Sequence, residues 1–94
     1  MIGIRWSAKA LADLDRIDEF NLTRSAGWAR RVQDRIGKRC ASLALVPGQG
    51  RPIGKLGWRE LSIPDIQYVV AYEALDEHVV IHRVRHTREN REAQ

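Results

Sequence analysis

The sequence predicts an α+β domain, a helical hairpin packed on one face of a mainly antiparallel four-stranded sheet in the order β-α-α-β-β-β. Three observations carry this. Residues 57–86 contain three runs rich in β-branched and aromatic residues, separated by short turn signals. Residues 8–43 instead repeat their apolar positions every three or four residues, in two blocks. A short alternating run precedes both.

Ile2, Ile4 and Trp6 alternate, which marks a first strand over residues 1–6. Ser7 stands where an N-cap belongs, ahead of a helix reaching Phe20. Leu11, Leu14, Ile17 and Phe20 recur at threes with Ala10 beside them, and this is the predicted apolar stripe. Asp13, Asp15, Asp18 and Glu19 fall off the stripe, so they are expected on a solvated face rather than as paired acid–base carboxylates.

Asn21 to Ser25 reads as a turn, with Ser25 capping the second helix. Ala26, Ala29, Val32, Ile36, Cys40 and Leu43 form the stripe of that helix, and its two small alanines allow close approach to Ala10. Pro47 is expected to stop the helix and to open a loop of turn residues. The loop has no Gly-Lys-Ser or Gly-Lys-Thr ending and no helix after it, so it is not a phosphate-binding P-loop. The later strands are Trp58–Ile63, Gln67–Ala74 and His78–His86, joined by Pro64-Asp65 and by Leu75-Asp76-Glu77 into a meander. Both helices then cover one sheet face and leave the other to a ligand or partner. Residues 87–94 form a polar tail, and 1–94 is expected to be a single domain.

A chain of 94 residues buries a thin core, so apolar surface is left for a partner to cover. The lone Cys40 excludes an internal disulfide, and its place on a helical stripe marks a buried thiol rather than a nucleophile. The N-terminal run lacks signal architecture and nothing approaches a membrane span, so a cytoplasmic protein is expected. Net charge is +4 and is concentrated locally. Residues 24–39 hold six basic side chains against Asp34 alone, and residues 83–91 hold four arginines against Glu89. Such a balance suits nucleic acid or an acidic protein.

On the last strand, parity places His78, Val80, His82, Val84 and His86 on one face, and Val79, Ile81, Arg83 and Arg85 on the other. Histidines four apart on a strand lie roughly 13 Å apart, too far to share an ion, so no metal is expected. No cofactor motif is present either. Arg59 shares parity with Leu61 and Ile63. There it either reaches the edge or pairs with a carboxylate, or it holds a phosphate. His86 is either an acid–base group or a polar strand end. Tyr68, Tyr72 and the three tryptophans are expected to pack. No tyrosine or tryptophan follows His86 to stack a base.

Taken in order, several of these pieces carry a resemblance. They are Trp6-Ser7 with Ala10, Asp13 and Leu14; Pro47 to Pro52; Trp58 to Leu61; Tyr68 to Glu73; and Val79 to Arg88. Over nearly its whole length the chain resembles the ParE/RelE toxin superfamily of bacterial type II toxin–antitoxin systems. It is more similar to the ParE branch, through Gly50-Arg51-Pro52, Arg59-Glu60-Leu61 and the Arg83 to Arg88 ending.

The resemblance implies a toxin with a role in plasmid stabilisation, inhibiting DNA gyrase without catalysis and neutralised by a cognate antitoxin. The alternative it implies is a RelE-type ribosome-dependent mRNA endonuclease, or a relative that has lost toxicity. Arg59, Arg83, Arg85, His86 and Arg88 are then the residues expected to bind a target or nucleic acid, the first four doubling as the catalytic set of a nuclease. Arg30, Arg31 and Arg35 on the second helix are expected to receive the antitoxin.

Overall fold

The computed structural model describes residues 2–54 and 57–88. Strand β1 (Gly3–Trp6) leads into helices α1 (Ala8–Leu22) and α2 (Ala26–Ala41). After a loop come β2 (Arg51–Pro52), β3 (Trp58–Ile63), β4 (Tyr68–Ala74) and β5 (His78–His86). The sheet order is β1-β5-β4-β3-β2, with β1 parallel to β5 and every other pairing antiparallel. The α+β class and the meander agree with the sequence reading. The sheet has five strands rather than four, because Arg51 and Pro52, assigned to the loop, pair with Glu60 and Arg59. Residue 1 and the polar tail beyond Arg88 lie outside the described residues.

Both helix starts follow their caps. Ser7 Oγ accepts the Ala10 N–H at 3.0 Å, and Ser25 Oγ accepts the Trp28 N–H at 3.0 Å. The second helix ends at Ala41 in a single 3-10 turn over Ser42–Ala44, several residues before Pro47. The predicted α2 stripe largely holds, with Ala29, Val32, Ile36, Cys40 and Leu43 buried, while Ala26 is exposed. Val32, Ile36, Cys40 and Leu43 pack with Leu61, Ile63, Tyr68, Val70, Tyr72, Val79, Ile81 and Val84 into one core on one face of the sheet. Burial pushes the Cys40 thiol up to about 12, so it stays protonated and inert.

The α1 stripe is rotated from the expected one. Its buried positions are Ala10, Asp13, Ile17 and Asn21, whereas Leu11 and Phe20 are 51% and 62% exposed. The spacing of three, four and four is as helical as the predicted one. It was hidden because two of its four members are polar. Both are satisfied. Asn21 Nδ2 donates to Ile17 O and to the Tyr68 hydroxyl, and Asn21 Oδ1 accepts the Trp28 indole N–H at 2.8 Å. Asn21 therefore ties α1 to α2 and to β4, and it is helix rather than turn.

Asp13 does more. Among the described residues, no strand borders the outer edge of β5 beyond Ile81, because β1 ends at Trp6. Side chains from the start of α1 take over that edge. Ser7 Oγ donates to His82 O at 3.1 Å, and Asp13 Oδ2 accepts the Val84 N–H at 2.9 Å. The same carboxylate receives Arg83 Nε and Nη2 at 2.9 and 3.0 Å, and Arg16 Nη2 at 3.2 Å.

The register of β4 against β5 slips at this point. Ala71 faces Arg83 and Tyr72 faces Ile81, so His82 is an extra residue, a β-bulge. The bulge breaks the parity expected for β5. Val79 and Ile81 face the core below it, and Val84 faces the core above it. His82 and His86, placed on one face by simple alternation, end on opposite faces.

Burial alone would raise the Asp13 pKa. The Arg83 hydrogen bond, the Val84 N–H and the charges of Arg83 and Arg16 outweigh it and hold the carboxyl below its usual range. A depressed carboxylate pKa contributes stability above the unfolded value near 3.8, and that contribution fades as pH falls through the folded value. Asp13→Asn is therefore expected to cost roughly 2–4 kcal/mol in urea unfolding at pH 7. The deficit should shrink as pH drops below about 4, because the unfolded wild-type chain then takes up a proton that the folded carboxylate still resists.

Candidate functional site

The residues singled out by sequence do not form one cluster. Direct cross-strand partners share a face, so the pairing places each of them. Arg59 faces Tyr72 and His86 faces Tyr68, both on the helix-covered face. Four residues of β4 separate these rows, about 13 Å. Arg83 and Arg85 face Ala71 and Val69 on the other side of the sheet. Each of these positions has its own local surroundings.

Arg59 serves the glycine-rich loop. Its Nη1 donates to Gly50 O at 2.7 Å and to Gly48 O at 3.4 Å. The adjacent Tyr72 hydroxyl accepts the Gly50 N–H at 2.8 Å and donates to Pro47 O at 2.7 Å. Gly50 is required here because a Cβ would lie 2.6 Å from Glu60 O and 2.8 Å from the Tyr72 ring. Arg59 and Tyr72 thus pin the loop down from beneath, and β2 follows from that.

Arg83 is held by Asp13, as described above. The expected antitoxin arginines divide. Arg35 forms a two-pronged pair with Asp65 at 2.7 and 3.1 Å, and Arg31 approaches the same carboxylate at 3.9 Å. Arg30 is exposed. This bridge from α2 to the β3–β4 turn holds the Asp65 carboxyl below its ordinary pKa, first through the Arg35 hydrogen bond.

The open sheet face carries a group that strand alternation did not single out. Trp58 and His82 stack with ring centroids 3.9 Å apart and planes 4° apart. His82 Nε2 lies 3.1 Å from Glu73 Oε1. Trp58 and Glu73 are direct partners on β3 and β4, and the bulge brings His82 across to them. Glu60, on the same face, pairs with Arg51 at 2.9 Å. The tryptophan is therefore a stacking surface half-covered by an imidazole, not a core residue.

Among the described residues, a concavity lies on the other side, where the C-terminal half of α1 passes the end of β5. This groove has a volume of about 550 Å³ and is lined by Arg16, Ile17, Phe20, Arg24, Gln67, Tyr68, His86 and Arg88. Its lip is built around Gln67, which takes a left-handed backbone at φ 62°. The Gln67 carbonyl is held by both the backbone N–H and the hydroxyl of Thr87, at 2.8 and 2.7 Å. His86 meets the Tyr68 ring edge-on at 5.2 Å, and its Nδ1 accepts the Arg88 N–H at 3.2 Å. That bond leaves the proton of the neutral ring on Nε2. Arg24 lies 5.2 Å from the centre of the Trp28 ring. Of the site residues singled out in the sequence, His86 and Arg88 line this groove. Arg16, Phe20 and Arg24 were not among them, because the rotated α1 stripe was needed to bring them to the groove.

A family model described as the ParE toxin of the type II toxin–antitoxin system, parDE, matches residues 4–91. A Sinorhizobium fredii protein named "Putative toxin Y4kP" is 39% identical over 69 residues, 73% of this chain and 72% of its own length. A solved chain of the chromosomal ParDE TA system from P. aeruginosa superposes with a TM-score of 0.82 at 25% identity, covering 92% of this chain and 96% of that one. A chain of the RelBE2 toxin–antitoxin complex from Mycobacterium tuberculosis gives 0.70 at 21% identity, covering 90% and 96%, and shares the fold.

The loop anchor separates a structural Arg59 from a chemical one. Arg59→Ala should speed amide exchange at Gly50 and its neighbours and lower stability by about 1 kcal/mol. Unchanged exchange in that loop would show that the guanidinium does not hold it.

Proposed function

Because the chain belongs to the ParE toxin family of type II toxin–antitoxin systems, we propose that it inhibits DNA gyrase by binding it. We further propose that a cognate antitoxin neutralises it in the cytoplasm. The family match over residues 4–91 carries this reading. The geometry supports binding over cleavage. Two of the four residues expected to form a nuclease set are committed to the fold, Arg59 to loop carbonyls and Arg83 to Asp13. His86 stands about 13 Å along the sheet from Arg59, and the Arg59 guanidinium is turned to the Gly50 and Gly48 carbonyls rather than towards it. The positive groove and the exposed Phe20 suit a protein surface.

One observation favours a second reading, ribosome-dependent mRNA cleavage. His82 and Glu73 form an imidazole–carboxylate pair on the open face that also carries Arg85, and Trp58 offers a ring there. General acid–base work on RNA needs such a pair.

Expression of the chain alone in bacteria separates the two. Filamentation and SOS induction with intact mRNA are expected, and they should persist in His82→Ala. Codon-phased mRNA cuts that His82→Ala abolishes would replace gyrase inhibition with the second reading.

A further inference from the structure

We propose that the first two turns of α1 choose between two registers of β5, and that only the chosen one assembles the Trp58–His82–Glu73 group on the open face. The inference goes beyond the toxin reading and does not depend on which target that reading names.

The core demands an irregularity in β5 but does not place it. Ile81 and Val84 are both buried on the helix-covered face, and they stand three residues apart. Strict alternation buries only one of them, so one of the two residues between them must be extra. In the observed register Tyr72 faces Ile81 and Ala71 faces Arg83, which makes His82 the extra one. If the bulge moved on by one residue, Arg83 would be extra and His82 would sit opposite Ala71. That position is one row, about 7 Å, along the sheet from Trp58 and Glu73. Ile81 and Val84 would keep Tyr72 and Val70 as partners, so the core alone does not separate the two states.

Side chains from α1 do separate them. Successive carbonyls of a regular strand point to opposite sides, yet Ile81 O and His82 O both meet Ser7. The Ser7 N–H donates to the first at 3.0 Å, and its hydroxyl donates to the second at 3.1 Å. With Arg83 as the extra residue, His82 O would turn towards β4 and the hydroxyl would lose its acceptor. Asp13 adds a second hold, because it takes the Arg83 side chain and the Val84 N–H together.

The consequence lies on the other side of the sheet. There His82 stacks flat on Trp58, and its Nε2 meets Glu73 Oε1 at 3.1 Å. Linkage is reciprocal, so the stacked rings in turn favour the register that Ser7 and Asp13 grip.

The test follows the full chain by NMR. The His82 ring-proton signal, assigned by its loss in His82→Ala, should lie upfield because the ring stacks on Trp58. It is read well above the pH range in which histidines charge. Trp58→Leu gives the unstacked position. Ser7→Asp keeps an acceptor for the Ala10 N–H but offers His82 O no proton, so it separates the hold on β5 from helix capping. Ser7→Asp and Asp13→Asn are each expected to move the signal at least halfway to the unstacked position. Ser7→Thr, which keeps the hydroxyl, should leave it at the wild-type place. The core methyl signals of Val32 and Ile36 should hold still throughout.

A signal that stays upfield in either Ser7→Asp or Asp13→Asn, with the core signals intact, overturns the proposal. The reverse arm needs no change in α1. In His82→Ala, amide exchange at Val84 should quicken at least about fivefold relative to Ile36 in α2. Equal protection of Val84 in His82→Ala and in the wild type overturns the proposal as well. That arm decides the matter even where the Ser7 and Asp13 variants fail to fold.

Discussion

The Asp13 carboxylate, 3% exposed and bonded at once to Arg83, Arg16 and the Val84 N–H, is the interaction on which the arrangement depends. It closes the edge of β5 where β1 has run out, and it fastens the middle of α1 to the strand that carries the bulge. A buried carboxylate is costly unless its lone pairs and its charge are both satisfied. Here a backbone N–H and two guanidinium groups satisfy them. The alignment of α1 follows from this contact. With Asp13 and Asn21 turned inward, Leu11 and Phe20 turn outward, and the groove beside β5 acquires its arginine and phenylalanine rim.

That allocation bears on function. Arginine clusters invite a phosphate reading, and this chain has enough of them for a nuclease by composition alone. Their partners decide otherwise for several. Arg59 holds a loop, Arg83 answers Asp13, and Arg35 answers Asp65. Removing any of these should disturb the fold before it disturbs chemistry, so loss of toxicity in such variants is weak evidence of catalysis. Among the described residues, the groove around Phe20 is a surface that these pairs leave uncovered.

Much of this was legible in the sequence. The two serine caps, the α2 stripe and the three meander strands follow from local patterns with one dominant reading. The α1 stripe was misplaced because hydrophobic periodicity weighs Leu11 and Phe20 above Asp13 and Asn21. Tertiary contacts with Arg83, Tyr68 and Trp28 reverse that weighting, and no property of α1 alone reveals them. The β5 parity failed for a related reason. An extra residue at His82 resets the alternation, and nothing in His-Val-Val-Ile-His-Arg-Val-Arg-His marks where. The stacked Trp58 and His82 were unreadable for the same cause, since they meet only across the bulge. Strand β2 is two residues long and depends on Arg59, Tyr72 and the closeness of Gly50 to β3, all outside its own segment.

The Arg83 guanidinium beside the bulge belongs to the fold, and a double-mutant cycle between Asp13→Ala and Arg83→Ala measures that commitment. Unfolding free energies of the two single variants and the double variant at pH 7 isolate the coupling. The expected coupling is about 1.5–3 kcal/mol, the range for a hydrogen-bonded charged pair with one partner buried. Additivity to within about 0.5 kcal/mol would contradict it, because Arg83 would then be available to a substrate rather than committed to the sheet edge.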